Sequence, residues 1–252
     1  HAAGKVFAKE VDMQTLAQDT VGFSGAELEN LLNEAALMAV RNKHAVITNQ
    51  DIESAMLKVI VGTEKKSSVI SANDKQITAY HEAGHAIVSY CMKHADPVQQ
   101  ISIIPRGMAG GFTMYRQQND RSYLSKEEIQ EKIAELLGGR AAEELTQASI
   151  TSGASNDLDR ATDFAKQMVT RYGMSSEVGL MTCKLDEEGR YVGISDKLKE
   201  KIDQEVQDIL QERYSCARSI LEQKRAYLEK VAAALLSREK ISGEEFRSIM
   251  ET

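Results

Sequence analysis

Apolar residues recur along much of the chain with a helical period. In "SGAELENLLNEAALMAVR" (24–41), Leu28, Leu31, Leu32, Ala35, Leu37, Met38 and Val40 form a broad apolar face. Ser24 and Glu27 stand in capping-box spacing at its start, as do Thr48 and Asp51 in "TNQDIESAMLKVI". These two helices predict a small helical unit over residues 1–63. Residues 64–71 are polar, lack periodicity and read as a linker. A long helix is predicted over about 73–93, capped by Ser71 or Asn73 and followed by Pro97.

The pattern then changes. Val98, Ile101, Ile103 and Ile104 favour strand, and Gly110-Gly111 marks a turn before "FTMY". A short hairpin or small sheet with an exposed edge is expected. Helices resume at 125–146, where Ser125 and Glu128 repeat the capping box, and at 155–172, closed by Gly173. In the latter, Leu158, Ala161, Phe164, Ala165, Met168, Val169 and Tyr172 line one side. Residues 195–237 predict two antiparallel helical pieces, and "SGEEF" at 242–246 caps a last short helix. The fold class expected is mainly α, with a helical unit ahead of a larger, mostly helical domain (72–252) holding a small β element.

Composition agrees. With 42% apolar and 27% charged residues, only two prolines and no tryptophan, the chain suits a folded, helical protein. Its net charge of −7 gives no footprint for nucleic acid. Cys91, Cys183 and Cys216 are far apart and form no CxxC, which fits a reducing compartment. No apolar run is long enough to cross a bilayer, and the opening "HAAGKVFAKEVD" reads as the interior of a longer protein.

One motif carries chemistry. "HEAGH" places His81 and His85 four apart, with Glu82 between them. Residues four apart on a helix face nearly the same way, so both imidazoles can reach one ion. Glu82 then points beside it, where a bound water sits. Zinc lowers the pKa of such a water towards about 7, and a carboxylate can take its proton for peptide-bond hydrolysis. The five-residue pattern recurs by chance in unrelated proteins. Here it lies among Ile77, Ala79, Ala83, Ala86, Ile87 and Val88, where two unpartnered histidines would be costly. Gly84 costs the helix about 1 kcal/mol relative to Ala, which suggests close packing of another backbone. Catalytic zinc takes three protein ligands plus water. No third histidine follows in metzincin spacing, and His94 reads as a surface residue. Glu143, Glu144 and Asp157 are the candidates for third ligand, and periodicity does not choose between them.

The chain resembles the FtsH family of membrane-anchored AAA+ zinc metalloproteases. The resemblance rests on "GFSGAELENLLNEAALMAVR", "AYHEAGHAIV", "ISIIPRG", "LGGRAAEEL" and "TSGASNDLDRATDFAKQMVTRYGMS", in that order and nearly end to end. It implies His81, His85 and Asp157 as zinc ligands and Glu82 as the catalytic glutamate, with Glu143 and Glu144 in supporting roles. It implies that residues 1–63 are an AAA+ lid whose Gly25 and Ala26 lie against nucleotide. It further implies ATP and Mg2+ in the full-length protein, a homo-hexamer, and unfolded or membrane-protein substrates. The place implied is the cytoplasmic face of a bacterial membrane or its organelle equivalent, with the anchors outside this sequence. No GxxxxGK[ST] phosphate loop is present, so no ATP hydrolysis is expected of these residues. "TVGFSG" lacks the family's usual proline, and "MAGGFTMYRQQND" lacks its proline-acidic stretch.

Two rivals are a regulatory or assembly module that zinc holds together without turnover, and a scaffold whose histidines bind nothing. Glu82 argues against the first, since a purely structural site does not need it. Elsewhere, Lys65-Lys66 reads as solvated linker, Met168 and Met181 as core fillers, Cys91 as a buried, inert thiol, and Gly138-Gly139 as tight helix packing.

Overall fold

The computed structural model describes residues 1–64, 70–107, 109–116, 123–146, 150–186 and 188–252. Lys65-Lys66 and most of the expected linker lie outside them.

The first helices are α1 (Met13–Asp19), α2 (Gly25–Arg41) and α3 (Asn49–Ile60). Both expected capping boxes form: Ser24 with Glu27, and Thr48 with Asp51. Asp51 does more than cap. Fully buried, it accepts from Thr48 N and Oγ1, Asn42 Nδ2 and His44 Nδ1 at 2.7–3.0 Å, pinning the α2–α3 connection. Leu31, Ala35, Ala39, Ile52 and Ala55 make the core between these helices. The apolar face of α2 is narrower than its sequence suggests, since Leu37 and Val40 are 63% and 75% exposed.

In the larger unit, α4 (Ala72–Cys91) is central, capped by Ser71. It packs on α5 (Lys126–Thr146) and on α8 (Arg225–Arg238). On its α8 side a core gathers Ala79, Ile87, Leu221, Leu228, Leu235 and Phe246. A second core lies between α5, α6 (Ser155–Thr170) and the first half of α7 (Asp196–Gln223), with Ile133, Leu136, Met168 and Ile202 at its centre. Met168 fills this core as expected, whereas Met181, Leu158 and Tyr172 are exposed. Helices α7 and α8 are not the antiparallel pair expected. Lys224 alone joins them, too short for a helical hairpin, and they do not pack along each other.

The sheet has the order β2-β1-β3 and is antiparallel, with β1 (Val98–Ser102) central and β2 (Phe112–Tyr115) at one edge. Ile101 pairs with Thr113 on one side and Ile241 on the other. The third strand, β3 (Lys240–Ser242), has only three residues and was not apparent in the sequence. It leads directly into α9 (Gly243–Glu251), capped as expected by Ser242.

The first three helices touch the larger unit lightly. Glu64 bridges to Arg106, Gly107 N donates to Thr63 O at 3.1 Å, and Arg116 Nε pairs with Asp19 Oδ1 at 2.8 Å. A groove of about 780 Å³ lies between α3 and the sheet. No helix among the described residues is long and apolar enough to cross a membrane.

Candidate metal centre

His81 and His85 lie near the middle of α4, two and six residues beyond Ala79 of the core. That helix can pass close to α5 because glycine faces glycine. A Cβ on Gly84 would lie 2.5 Å from Gly138 O, and one on Gly138 would lie 2.9 Å from Gly84 O. The expected close backbone approach is therefore real, and its partner is α5.

The close approach lets α5 orient both imidazoles. His85 Nδ1 donates to the backbone carbonyl of Glu135 at 2.8 Å, and His81 Nδ1 donates to Glu143 Oε1 at 2.8 Å. Glu143 is itself held by Thr151, whose N and Oγ1 donate to its other oxygen. With both Nδ1 atoms carrying the proton, both Nε2 lone pairs turn inward. The structure brings them together with Asp157, from the first turn of α6. His81 Nε2 and His85 Nε2 are 3.0 Å apart, and Asp157 Oδ2 is 3.2 Å and 3.3 Å from them.

Three acceptors this close repel one another unless a cation or a proton sits among them. Burial opposes charge on His81, but its hydrogen bonds to Asp157 and Glu143 and the nearby carboxylates push it up to about 10. Burial likewise opposes charge on Asp157, and the two imidazoles hold it well below the usual carboxylate range. Imidazole nitrogen and carboxylate oxygen are also donors that suit a divalent cation. Their spacing fits one: four bonds of about 2.0–2.1 Å in a tetrahedron put ligand atoms about 3.3 Å apart. These residues fit zinc in donor type, number and separation.

Glu82 is 6% exposed and lines the same cleft, a cavity of about 810 Å³ walled on one side by Ala109–Thr113. Burial raises its pKa, while the two histidines and a hydrogen bond from Thr113 oppose the rise.

Of the three candidates for third donor, Asp157 alone joins the cluster. Glu143 sits one bond further out, behind His81. Glu144, rotated about 100° from it on α5, faces away and pairs with Tyr214 and Arg218. His94 accompanies Glu131 beyond the end of α4. Gly25 and Ala26 lie exposed in the first turn of α2, outside the cleft. Cys91 is exposed, contrary to expectation, because α4 ends there; partial burial of the thiol still pushes its pKa up. Sequence reasoning missed two contributors. Gly139 was read only as helix packing, yet a Cβ there would lie 2.5 Å from His81 Cε1 and 2.6 Å from His85 Nε2. Thr113 gave no signal.

A helix-borne pair of imidazoles, a carboxylate from a distant helix and a buried glutamate beside them are the arrangement used by H-E-x-x-H metallopeptidases. The chain belongs to peptidase family M41, whose model matches residues 68–249. An AAA+ lid domain model matches residues 10–54. Among curated relatives, the ATP-dependent zinc metalloprotease FtsH of Caldicellulosiruptor bescii is 45% identical over 258 residues, covering 99% of this chain and 42% of the relative. FtsH 1 of Thermoanaerobacter sp. is 44% identical over 257 residues, with the same coverage. FtsH of Pseudothermotoga lettingae is 45% identical over 261 residues, covering all of this chain and 42% of the relative. The chain thus spans about two fifths of the length of these relatives.

Proposed function

We propose that this chain is the lid and peptidase portion of an ATP-dependent, membrane-anchored zinc endopeptidase. In this reading residues 1–63 are the AAA+ lid, 64–71 the linker and 72–252 the peptidase domain. His81, His85 and Asp157 would hold zinc, which when bound would supply Lewis-acid activation of the scissile carbonyl and of the attacking water. Glu82 takes a proton from that water and delivers it to the departing amine. Glu143 and the Glu135 carbonyl keep the two imidazoles in the tautomer that offers Nε2. The edge strand β2, running along the cleft, accepts an extended substrate through backbone hydrogen bonds, which suits many sequences.

The rest of the reading concerns the longer protein and leans on the relatives. Gly25 and Ala26 face nucleotide there, ATP and Mg2+ drive unfolding in a homo-hexamer, and substrates are unfolded or membrane proteins. The anchors place this part on the cytoplasmic side of a bacterial membrane or in the organelle equivalent.

The observation that carries the proposal is the convergence of His81 Nε2, His85 Nε2 and Asp157 Oδ2 within 3.0–3.3 Å of one another, beside Glu82. A zinc module without turnover has no use for a buried carboxylate at that place. The test is zinc content and cleavage of labelled casein by the reconstituted chain. One zinc per chain is expected, and Glu82→Gln should keep the metal and abolish cleavage. Absence of stoichiometric zinc, or full cleavage by the variant, would overturn the proposal.

A further inference from the structure

Glu82 is steadied from across the cleft as well as by its own helix. Thr113 Oγ1, on β2, lies 2.8 Å from Glu82 Oε2 and 3.2 Å from the Glu82 carbonyl oxygen. Two residues earlier, Gly111 leaves room for the stem of the same side chain. A Cβ at Gly111 would lie 2.9 Å from Glu82 Cγ, 2.7 Å from Thr78 Cγ2 and 2.8 Å from Ser102 O. Positions 111 and 113 fall on one face of the strand by its two-residue period. The backbone of Thr113 is fixed independently, by its pairing with Ile101 of β1. Glu82 Oε1 has no hydrogen-bond partner among the described residues.

We propose that Thr113 is a positioning residue for Glu82. Its hydroxyl donates to Oε2, so that Oε1 is the oxygen presented to the cleft. The inference rests on the reading of Glu82 as the proton carrier and adds a part that the H-E-x-x-H motif does not contain. A glutamate side chain has three rotatable bonds, and fixing it freely from solvent costs entropy at the moment of reaction. A hydroxyl already bound to one oxygen removes that cost beforehand. A hydrogen bond to a charged group of this kind corresponds to about 10- to 100-fold in rate.

Thr113→Val keeps the shape and strand preference of the residue and removes only the hydroxyl. Thr113→Ala removes the hydroxyl together with the methyl and so puts no new group against Glu82, and Thr113→Ser restores the hydroxyl. The zinc-reconstituted chains are compared for zinc per chain, thermal midpoint, and kcat and KM on labelled casein. The Val and Ala variants should bind one zinc and keep the wild-type KM, with kcat lowered about 10- to 100-fold. The Ser variant should recover most of that loss. A kcat within about twofold of wild type in either hydroxyl-free variant, or no recovery with Ser, overturns the assignment. So does a loss that appears in zinc content or KM with kcat intact, since that is a defect of the metal site or the substrate strand. No cleavage by zinc-loaded wild type overturns the peptidase reading itself, and this assignment with it.

Discussion

Adding one methyl group at Gly139 sets two physical effects against each other. Gly139 lies inside α5, and Ala in a helix interior is favoured over Gly by about 1 kcal/mol. Propensity alone therefore makes Gly139→Ala a stabilising change. The site says otherwise. The new Cβ would meet His81 Cε1 at 2.5 Å, His85 Nε2 at 2.6 Å and His81 Nδ1 at 2.7 Å. Comfortable carbon contacts are about 3.5–4.0 Å, so the rings must retreat by about 1 Å. Neither ring retreats freely, because each is tied at Nδ1 to a partner on the same helix α5. A metal site tolerates errors of about 0.2 Å in its bond lengths. The displacement exceeds that several-fold.

The expected outcome is a folded protein whose zinc affinity falls at least about 100-fold, equivalent to about 2.7 kcal/mol. Overpacking of about 1–3 kcal/mol should also offset the propensity gain in the metal-free protein. Chelator-competition titration measures the first quantity, and thermal unfolding in the presence of chelator measures the second. A folded, more stable variant with zinc affinity within about threefold of wild type would refute the reasoning, because it would mean that the imidazoles do not need the space Gly139 leaves.

Three further outcomes follow from single contacts. Glu143→Ala frees His81 Nδ1 and should weaken zinc binding about 10- to 100-fold by the same titration, with the helices intact by circular dichroism. Gly84→Ala places a Cβ 2.5 Å from Gly138 O and 2.6 Å from Ala142 Cβ, both on the stiff frame of α5, and should cost about 3 kcal/mol in urea unfolding. Asp51 governs the acid stability of the first three helices. Burial opposes its charge, but hydrogen bonds from His44, Thr48 and Asn42 prevail and hold its pKa well below the ordinary value. A depressed carboxylate contributes stability above its unfolded pKa of about 3.9, and loses it as pH falls through the folded value. Unfolding midpoints of wild type should therefore drop below about pH 4, while Asp51→Asn should be weaker at pH 7 and flatter across that window.

Local rules made the helices legible and tertiary distances did not follow from them. The boxes at Ser24, Thr48, Ser125 and Ser242 needed only neighbours three residues away, and each formed. The strand β3 was invisible because three residues carry no period, and its partner β1 lies more than 130 positions earlier. The two histidines and Glu82 were legible because one helix carries all three. Spacing left the third donor open: Glu143, Glu144 and Asp157 are equally acidic, and only the facing of α5 and α6 separates them. Thr113 was silent for the same reason, since a threonine in a strand is ordinary until the helix opposite it is known. The exposure of Cys91, Leu37 and Val40 shows the limit of apolar patterning near helix ends and on small bundles, where part of an apolar face has nothing to cover it.

The helix α5 offers no donor to the cluster of His81, His85 and Asp157, yet the geometry depends on it most. Glu135, Gly139 and Glu143 are spaced by four and so form one stripe along it. That stripe faces the stripe of His81, Gly84 and His85 on α4. Along it, a carbonyl fixes one ring, an empty position accommodates both, and a carboxylate fixes the other. A flank of α5 next to that stripe packs on α6, which brings Asp157. This helix is buried nearly all round between two cores, which explains its poor amphipathic pattern in the sequence. A donor substituted by another donor can still bind a metal. A residue with bulk at 139, or a helix at 138 that cannot approach Gly84, moves both imidazoles at once. The supporting stripe is therefore the stricter requirement, and its signature in the sequence is the Gly138-Gly139 pair four residues ahead of Glu143, read together with "HEAGH".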